Sequence, residues 1–329
     1  MSNTVLITGP YLAASAVDLL AAAGLTPVYV PPYTGGEGLT EIVRAADPVG
    51  IISRMGRLDA AAMDAAPSLR VISKHGVGVD NIDLTAAGER GIPVLMATGA
   101  NAVSVAEHAI ALMLAVAKRL GPLDRGLREG RWEKPGFRGR EIAGSTLGLV
   151  AFGAIARHTA RMAQAFGMQV IAYDPFCPAE AMEAAGVRRI EDVDALVAEA
   201  DVISLHSPLT DATRNLIDAR RLGLMKPHAI IVNTARGGLI DEAALAAALA
   251  EGRIAGAGLD SFAQEPPPAD HPFWAEPNLV MTPHVGGVTT AANARVGVEA
   301  AQGIIDHLAG RDLPPARIAN RAALAPANV

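Results

Sequence analysis

The sequence predicts an α/β protein with two doubly wound parallel-sheet domains, Rossmann-like or flavodoxin-like. Short runs of β-branched residues alternate with alanine-rich helical stretches, a pattern typical of βαβ units around a parallel sheet. Half of the 329 residues are apolar and 19% are charged, which is enough for two compact cores. In the second half of the chain, polar residues stand where the apolar runs end.

The predicted elements form two series along the chain. Before residue 100 we expect four strands, in TVLITG, VGIIS, LRVISKHG and IPVLMA. A long apolar helix then opens at Asn101, a suitable N-cap because its side chain can accept a backbone N–H. A second series begins at Leu147, after a polar stretch, with strands in LGLVAF, QVIAYDP, ADVISLHSP, AIIVNTARGG, IAGAGLD and LVMTPHVGG.

Composition and charge exclude several classes of partner. The formal charge is −6 and no block of Lys or Arg occurs, which argues against nucleic-acid and membrane-surface partners and favours a small-molecule ligand. The single cysteine, Cys177, cannot form an intrachain disulfide, and no Cys/His cluster has metal-ligand spacing. We therefore expect a cytoplasmic protein without a metal. The most apolar helical stretch, residues 109–117, is too short to cross a bilayer.

Each strand of the second series is followed by polar side chains. In open α/β sheets the ligand lies outside the carboxyl ends of the strands, next to the topological switch point. We therefore expect these side chains to converge on one crevice. They are Asp174, His206, Ser207, the run from Asn233 to Arg236, Asp260 and His284.

The turn at residues 151–156 resembles a dinucleotide-binding turn with glycines replaced. Where G-x-G-x-x-G is expected, the chain has Ala151, Gly153 and Ala156. Gly153 keeps the position at which backbone approaches the pyrophosphate, and we predict a negative φ at Ala151, because a left-handed alanine costs about 1–2 kcal/mol. Asp174 follows the next predicted strand, where a carboxylate binds ribose hydroxyls and favours NAD over NADP. An ordinary βα turn is the alternative.

Three further residues are candidates for catalysis. Arg236 stands at a strand end before two glycines, where its guanidinium could hold a carboxylate or pair with Asp241 or Glu242. His284 is a candidate acid or base, or else a solvated histidine. Glu265 lies on a proline-rich loop and becomes relevant if it reaches His284.

Six segments resemble the D-isomer-specific 2-hydroxyacid dehydrogenase family, in its phosphoglycerate-dehydrogenase-like branch. The resemblance covers nearly the whole chain in the family's order and spacing. The segments are KHGVGVDNIDL (74–84), NAVSVAEHAIALML (101–114), DVISLHSPLTDATRNLI (201–217), LMKPHAIIVNTARGGLIDEAAL (224–245), GAGLDSFAQEPP (256–267) and MTPHVGG (281–287).

The resemblance implies an NAD-dependent interconversion of a small 2-oxo acid and its D-2-hydroxy acid. His284 would give the proton to the keto oxygen, or accept it in the reverse direction. Glu265 would hold the His284 ring and favour its protonated form. Arg236 would orient the substrate carboxylate and polarise the carbonyl.

The resemblance also implies residues that contact the cofactor and the substrate. The cofactor residues would be Gly153, Ala154, Ile155, Asp174, Ser207, Thr234, Asp260, Gly286 and Gly287. The substrate residues would be Lys74, Val77, Gly78 and Arg236, with Arg54 and Arg57 as further cations near its distal end. The chain departs from the family at Ala151 and Ala156, and at Ala154, where many members have arginine; Arg157 is a possible substitute for that charge.

The domain organisation implied by the resemblance is discontinuous, with an active-site cleft between the two domains. Residues 1–100 and 289–329 would form the substrate-binding domain, and residues 101–288 the NAD-binding Rossmann domain. Helix 101–120 would pack against its copy in a homodimer, with burial inside one chain as the alternative.

Two other functions remain open on the sequence alone. An NAD(H)-binding regulatory protein could keep the fold without significant turnover, although it would not need Glu265 beside His284. A formate-oxidising relative would carry glutamine beside the histidine, and Gln264 is adjacent to Glu265 in the sequence.

Overall fold

A computed structural model describes residues 2–324. It divides into two compact units, one from Met1–Asn101 and Val288–Val329 as far as these are described, and one from Ala102–Gly287. Within the described residues, no helix combines the length and the apolar character that a membrane span requires.

The first unit begins with alternating strands and helices. In chain order they are β1 (Thr4–Ile7), α1 (Ala14–Ala22), β2 (Thr26–Tyr29), α2 (Gly36–Ala46), β3 (Gly50–Ser53), α3 (Ala60–Asp64), β4 (Val71–Lys74), α4 (Leu84–Glu89) and β5 (Val94–Met96).

The second unit follows, and one last helix returns to the first unit. The elements of the second unit are α5 (Ala102–Ala117), α6 (Leu120–Arg128), β6 (Thr146–Val150), α7 (Ala154–Ala165), β7 (Gln169–Tyr173), α8 (Ala179–Glu183), β8 (Arg188–Arg189), α9 (Val193–Glu199), β9 (Val202–Leu205), α10 (Ala219–Leu224), β10 (Ile230–Asn233), α11 (Glu242–Ala250), β11 (Gly256–Leu259) and β12 (Leu279–Met281). The last helix is α12 (Thr290–Leu308).

The first unit contains a five-stranded parallel sheet in the order β2-β1-β3-β4-β5. Helices α1 and α12 cover one face and α2, α3 and α4 the other. The sequence predicted four strands here, which is wrong by one. The missed strand β2 lies at the edge and contains Pro27, so its sequence lacks the continuous β-branched run of a buried strand.

The second unit contains a seven-stranded parallel sheet in the order β12-β11-β10-β9-β6-β7-β8. Helices α5, α7 and α8 cover one face and α9, α10 and α11 the other. The two-residue edge strand β8 was not predicted, since two arginines give no strand signal. The strand order reverses at β6, so the switch point lies at the carboxyl end of β6. These two sheets confirm the predicted fold class.

Helix α5 lies very close to β11. A Cβ added to Gly256 would come within 2.7 Å of Val116, and one added to Gly258 within 2.9 Å of Leu112. The helix begins one residue after Asn101, but the buried Oδ1 of Asn101 has no hydrogen-bond partner among the described residues. The predicted side-chain cap at Asn101 is therefore wrong.

The predicted backbone conformation of Ala151 is also wrong, because its φ is +72°. The N–H of Ala151 donates to the Tyr173 carbonyl at 2.8 Å, and the next N–H, of Phe152, donates to Asp174 Oδ2 at 2.8 Å. In an extended strand consecutive N–H groups point in opposite directions. The N–H groups of Ala151 and Phe152 can therefore both bond to β7 and the residue after it only because Ala151 leaves the extended conformation. The turn at Ala151 also places the Phe152 ring in the core.

One of the strand-end residues of the sequence analysis, His206, is partly buried. It follows β9, and its Nε2 lies 2.9 Å from Ser204 Oγ, while its Nδ1 has no partner among the described residues. Burial lowers the pKa of His206 to about 4. The ring is therefore neutral in the folded protein near pH 7.

We predict that Ala151→Gly raises the free energy of unfolding by up to about 1 kcal/mol. The substitution removes the steric strain of a Cβ at a residue with left-handed backbone. This gain exceeds the cost of the larger conformational entropy that glycine gives the unfolded chain. The matched control is Ala156→Gly in α7, where the fully buried Cβ is unstrained and its loss should cost about 1 kcal/mol. Urea denaturation of both variants tests this. A destabilisation by Ala151→Gly equal to that of Ala156→Gly would contradict it.

We also predict that His206 makes folding sensitive to mild acid. The unfolded chain takes up a proton near pH 6.5 and the folded chain only near pH 4, so stability is full above pH 6.5 and falls between these values. The loss is about 3 kcal/mol in total. His206→Gln should flatten this part of a plot of unfolding free energy against pH; an unchanged slope would exclude His206 as its source.

Candidate active site

His284 and Glu265 form a hydrogen-bonded pair in the second unit. The His284 Nδ1 lies 2.8 Å from Oε2 and 3.0 Å from Oε1 of Glu265. Because the carboxylate occupies Nδ1, Nε2 is the ring nitrogen left for a substrate. Both side chains are about two-fifths exposed, so the pair is accessible from solvent. Glu265, and not its neighbour Gln264, holds the ring.

The environment of Glu265 favours its ionised form. Burial raises the pKa of this carboxyl. The hydrogen bond and charge of His284, the Phe262 N–H and the charge of Arg236 together lower this pKa by more than burial raises it. The net pKa lies below the ordinary value. Glu265 is thus a carboxylate at neutral pH and accepts a hydrogen bond from the His284 ring.

Arg236 follows β10 on a loop that its own sequence shapes. The side chain of Asn233, fully buried, donates to the Arg236 carbonyl and accepts the Ala235 N–H. The next residue, Gly237, lies so close to the Phe262–Ala263 peptide that an added Cβ would be 1.9 Å from the Phe262 carbonyl carbon. A glycine is therefore required for the Arg236 and Glu265 loops to meet.

The loop that carries His284 is held by Asp260. This carboxylate, with its residue only 1% exposed, accepts hydrogen bonds from the Thr282 hydroxyl at 2.5 Å, the Val285 N–H at 2.9 Å and the Gly286 N–H at 2.8 Å. Burial raises the pKa of Asp260, but His108 and these donors lower it more. His284 itself has a φ of +53°, a conformation that non-glycine residues adopt rarely.

Sequence reasoning missed several residues of this site. His108 of α5 lies 2.8 Å from Thr282 Oγ1 and 3.4 Å from Asp260 Oδ1 through its Nε2. Glu242 and His271 lie behind the Glu265 loop. A histidine within the largely apolar helix α5 was the available signal for His108. Nothing in the sequence joins Glu242 to His271.

The turn after β6 forms an open cradle at a helix N-terminus. Gly153 is the N-cap of α7, no side chain caps this end, and Ala154 and Ile155 begin the helix. A Cβ added to Gly153 would have no atom within 4 Å, so the space above it is open. Free N–H groups at a helix N-terminus bind phosphate well.

Other residues of the predicted cofactor set lie at the same edge of the sheet. Asp174 follows β7, Ser207 follows β9 and Thr234 follows β10. The hydroxyls of Ser207 and Thr234 are buried without a hydrogen-bond partner among the described residues. Such buried polar atoms call for a partner. Together with the cradle at Gly153, they fit a bound dinucleotide.

Asp174 has a structural task that the sequence did not reveal. Its Oδ2 accepts the Phe152 N–H, and its Oδ1 accepts the N–H groups of Phe176 at 2.8 Å and Cys177 at 3.2 Å. The carboxylate thus joins the turn after β6 to the loop after β7. Arg157 packs against both segments. Its Cζ lies 4.7 Å from the centre of the Phe152 ring, and its Nη2 lies 3.4 Å from Cys177 Sγ.

The remaining predicted residues lie in the first unit, in the loop after β4. Lys74 ends the strand, and its Nζ donates to Asn81 Oδ1 at 2.7 Å. The backbone N–H groups of Val77 and Gly78 have no acceptor among the described residues. Two consecutive free N–H groups can form a concave anion-binding site.

Further basic side chains lie around this loop. The guanidinium of Arg54 packs over the Tyr11 ring at 4.3 Å, and Arg57 is exposed. Burial, and then the charges of Arg54 and Lys74, lower the pKa of His75 to about 4. His75 is thus neutral at pH 7, and the positive charge near the loop comes from Arg54 and Lys74.

Known proteins are similar to this chain in sequence and in fold. Residues 110–286 match the family model described as D-isomer specific 2-hydroxyacid dehydrogenase, NAD binding domain. The chain is 39% identical to D-3-phosphoglycerate dehydrogenase of Archaeoglobus fulgidus over 324 residues, which are 98% of this chain and 60% of that protein. This chain therefore spans less than two thirds of the length of that relative.

A second relative and a solved structure match over most of both chains. Hydroxypyruvate reductase of Thermotoga maritima is 43% identical over 82% of this chain and 87% of its own length. The crystal structure of the TT0316 protein from Thermus thermophilus superposes with a TM-score of 0.85 at 38% identity, over 94% of this chain and 98% of that one. The chain belongs to the D-isomer specific 2-hydroxyacid dehydrogenase family, and its second unit carries the NAD-binding domain of that family.

Proposed function

We propose that the protein is an NAD-dependent dehydrogenase that interconverts a small 2-oxo acid and its D-2-hydroxy acid. The observation that carries this proposal is the pairing of His284 Nδ1 with a Glu265 carboxylate at 2.8 Å, with Arg236 close enough to lower the pKa of that carboxylate. Family membership and the named relatives, a D-3-phosphoglycerate dehydrogenase and a hydroxypyruvate reductase, support it.

The three catalytic residues have separate tasks. Arg236 binds the substrate carboxylate through its planar guanidinium and draws electron density from the keto oxygen. His284 Nε2 donates a proton to that oxygen as negative charge develops on it. Glu265 holds Nδ1 and stabilises the imidazolium before the proton leaves. In the oxidation direction the neutral His284 ring accepts the hydroxyl proton.

The second unit holds the cofactor in this proposal. Bound NADH supplies the hydride that reduces the carbonyl carbon. The N–H groups of Ala154 and Ile155, above Gly153, bind the pyrophosphate, and the hydroxyls of Ser207 and Thr234 gain hydrogen-bond partners. Asp260, Gly286 and Gly287 would contact the nicotinamide end of the cofactor. Asp174 binds the adenosine ribose and repels a 2′-phosphate, which favours NAD over NADP.

The first unit binds the substrate in the same proposal. The free N–H groups of Val77 and Gly78 receive an anionic oxygen, and Lys74 with Arg54 supplies positive charge beside them. Residues 1–100 with 289–329 thus act as the substrate-binding domain, and residues 101–288 as the NAD-binding domain.

We further propose that the protein is a homodimer through helix 101–120. Most apolar residues of α5 are buried inside their own unit. The side chains that support an interface are exposed ones beyond the end of α5, namely Leu120, Leu127 and Trp132, which are 52%, 60% and 72% exposed.

The proposed activity is tested by following NADH absorbance with glyoxylate, pyruvate, hydroxypyruvate and phosphohydroxypyruvate. We expect oxidation of NADH with at least one of them, and a D-configured product. Hydroxypyruvate and phosphohydroxypyruvate form a matched pair, because the second adds a distal anion for Lys74 and Arg54 to bind.

His284→Ala is the matched variant for this experiment. It should bind NADH with wild-type affinity, measured by fluorescence, and lose turnover by a factor of about 100 or more. If the wild type oxidises NADH with none of the acids while both proteins bind NADH, the protein is a cofactor-binding regulator and the proposed reaction is wrong.

A further inference from the structure

We propose that Glu242 and His271 are positioning residues that set the orientation of Glu265. They form a second His–Glu pair behind the first, and both pairs bind the same short stretch of backbone. The kinetic consequence rests on the proposed function, whereas the structural consequence does not.

The Glu242 carboxylate bridges two donors. Its Oε1 accepts the Ala263 N–H at 2.8 Å, and its Oε2 lies 3.1 Å from His271 Nε2. The two side chains are 16% and 9% exposed, so water screens them little. Glu242 stands in the first turn of α11, whose N-cap Asp241 accepts the Ala244 N–H, so the carboxylate is attached to a well-formed helix end.

The His271 ring has one proton arrangement that suits its contacts. Its Nδ1 accepts the Phe273 N–H at 3.3 Å, so the ring proton is on Nε2 and points to Glu242. The ring packs at 4.6 Å from the Phe273 ring and at 6.5 Å from the Phe262 ring, centre to centre. His271 therefore contacts the Glu265 loop directly as well as through Glu242.

The two pairs meet at consecutive amides. The Phe262 N–H donates to Glu265 Oε1 at 3.0 Å, and the next N–H, of Ala263, donates to Glu242 Oε1. Gly237 packs against this same peptide. A shift of the backbone at Phe262 and Ala263 would therefore move Glu265 relative to His284 and press on the backbone next to Arg236.

This arrangement divides the work between two similar pairs. The outer pair, Glu265 and His284, is two-fifths exposed and would meet the substrate. The inner pair, Glu242 and His271, is largely buried and touches no reacting atom. A displacement of about 1 Å in a catalytic group lowers the rate by about 100-fold. Backbone that fixes the position of Glu265 therefore preserves the rate.

The test uses Glu242→Gln and His271→Phe in the full chain. A glutamine presents one oxygen where the carboxylate presents two, so either the Ala263 N–H or the His271 N–H meets an amide donor. Phenylalanine keeps the ring among its aromatic neighbours and removes the donor. His271→Gln, which keeps a donor for Glu242, is the conservative variant expected to retain most activity.

Two readouts separate positioning from mere stability. We expect kcat to fall about tenfold or more, with the Kd for NADH within about twofold of wild type. Amide hydrogen exchange at Phe262, whose acceptor is Glu265, should accelerate about tenfold together with that at Ala263. The control is His228→Phe, which breaks the contact of His228 Nε2 with Asp201 Oδ1, 2.8 Å apart and remote from this loop. It should change neither kcat nor the exchange of the Phe262 and Ala263 amides.

The inference is overturned if Phe262 exchange and kcat stay at wild-type values in Glu242→Gln, or if only Ala263 exchange accelerates. A fall in kcat no larger than in His228→Phe would overturn it too. If Glu242→Gln does not fold, His271→Phe is compared with His271→Gln. Equal kcat and equal Phe262 exchange in these two variants would overturn the inference. If wild type shows no turnover with any 2-oxo acid, the proposed function fails, and Phe262 exchange still tests the positioning.

Discussion

The buried carboxylate of Asp260 is the interaction on which the candidate site depends. It lies at the end of β11 and accepts the Val285 and Gly286 N–H groups and the Thr282 hydroxyl. These bonds hold the loop in which His284 adopts a left-handed backbone, at a cost of about 1 kcal/mol. With the loop fixed, the His284 ring contacts Glu265 through Nδ1, and Nε2 lies on the other side of the ring.

The same device recurs at the cofactor turn. Ala151 and His284 both have a left-handed backbone. The N–H of Phe152, the residue after Ala151, donates to Asp174. The N–H of Val285, the residue after His284, donates to Asp260 in the same way. In each case an aspartate beyond a strand end fixes a strained residue on a neighbouring loop. Both aspartates, predicted only as cofactor residues, therefore also organise the backbone.

Sequence reasoning succeeded where a short pattern determines the structure. Apolar runs predicted ten of the twelve strands of the described residues and the sheet edge at which Asp174, Asp260 and His284 lie. Family motifs predicted the contact of His284 with Glu265. It failed at Ala151, because no pattern shows that Phe152 must reach Asp174. It also missed contacts distant along the chain, such as His108 with Thr282, 174 residues apart, since only the fold brings them together.

In the proposed function, Glu265 acts through His284 in proton transfer and not in cofactor binding. The most direct measurement is turnover and NADH affinity of Glu265→Gln, with the best 2-oxo acid as substrate. We predict a fall of about 100-fold in kcat with the Kd for NADH within about twofold of wild type. Wild-type kcat in Glu265→Gln, or a loss confined to NADH affinity, would contradict this claim.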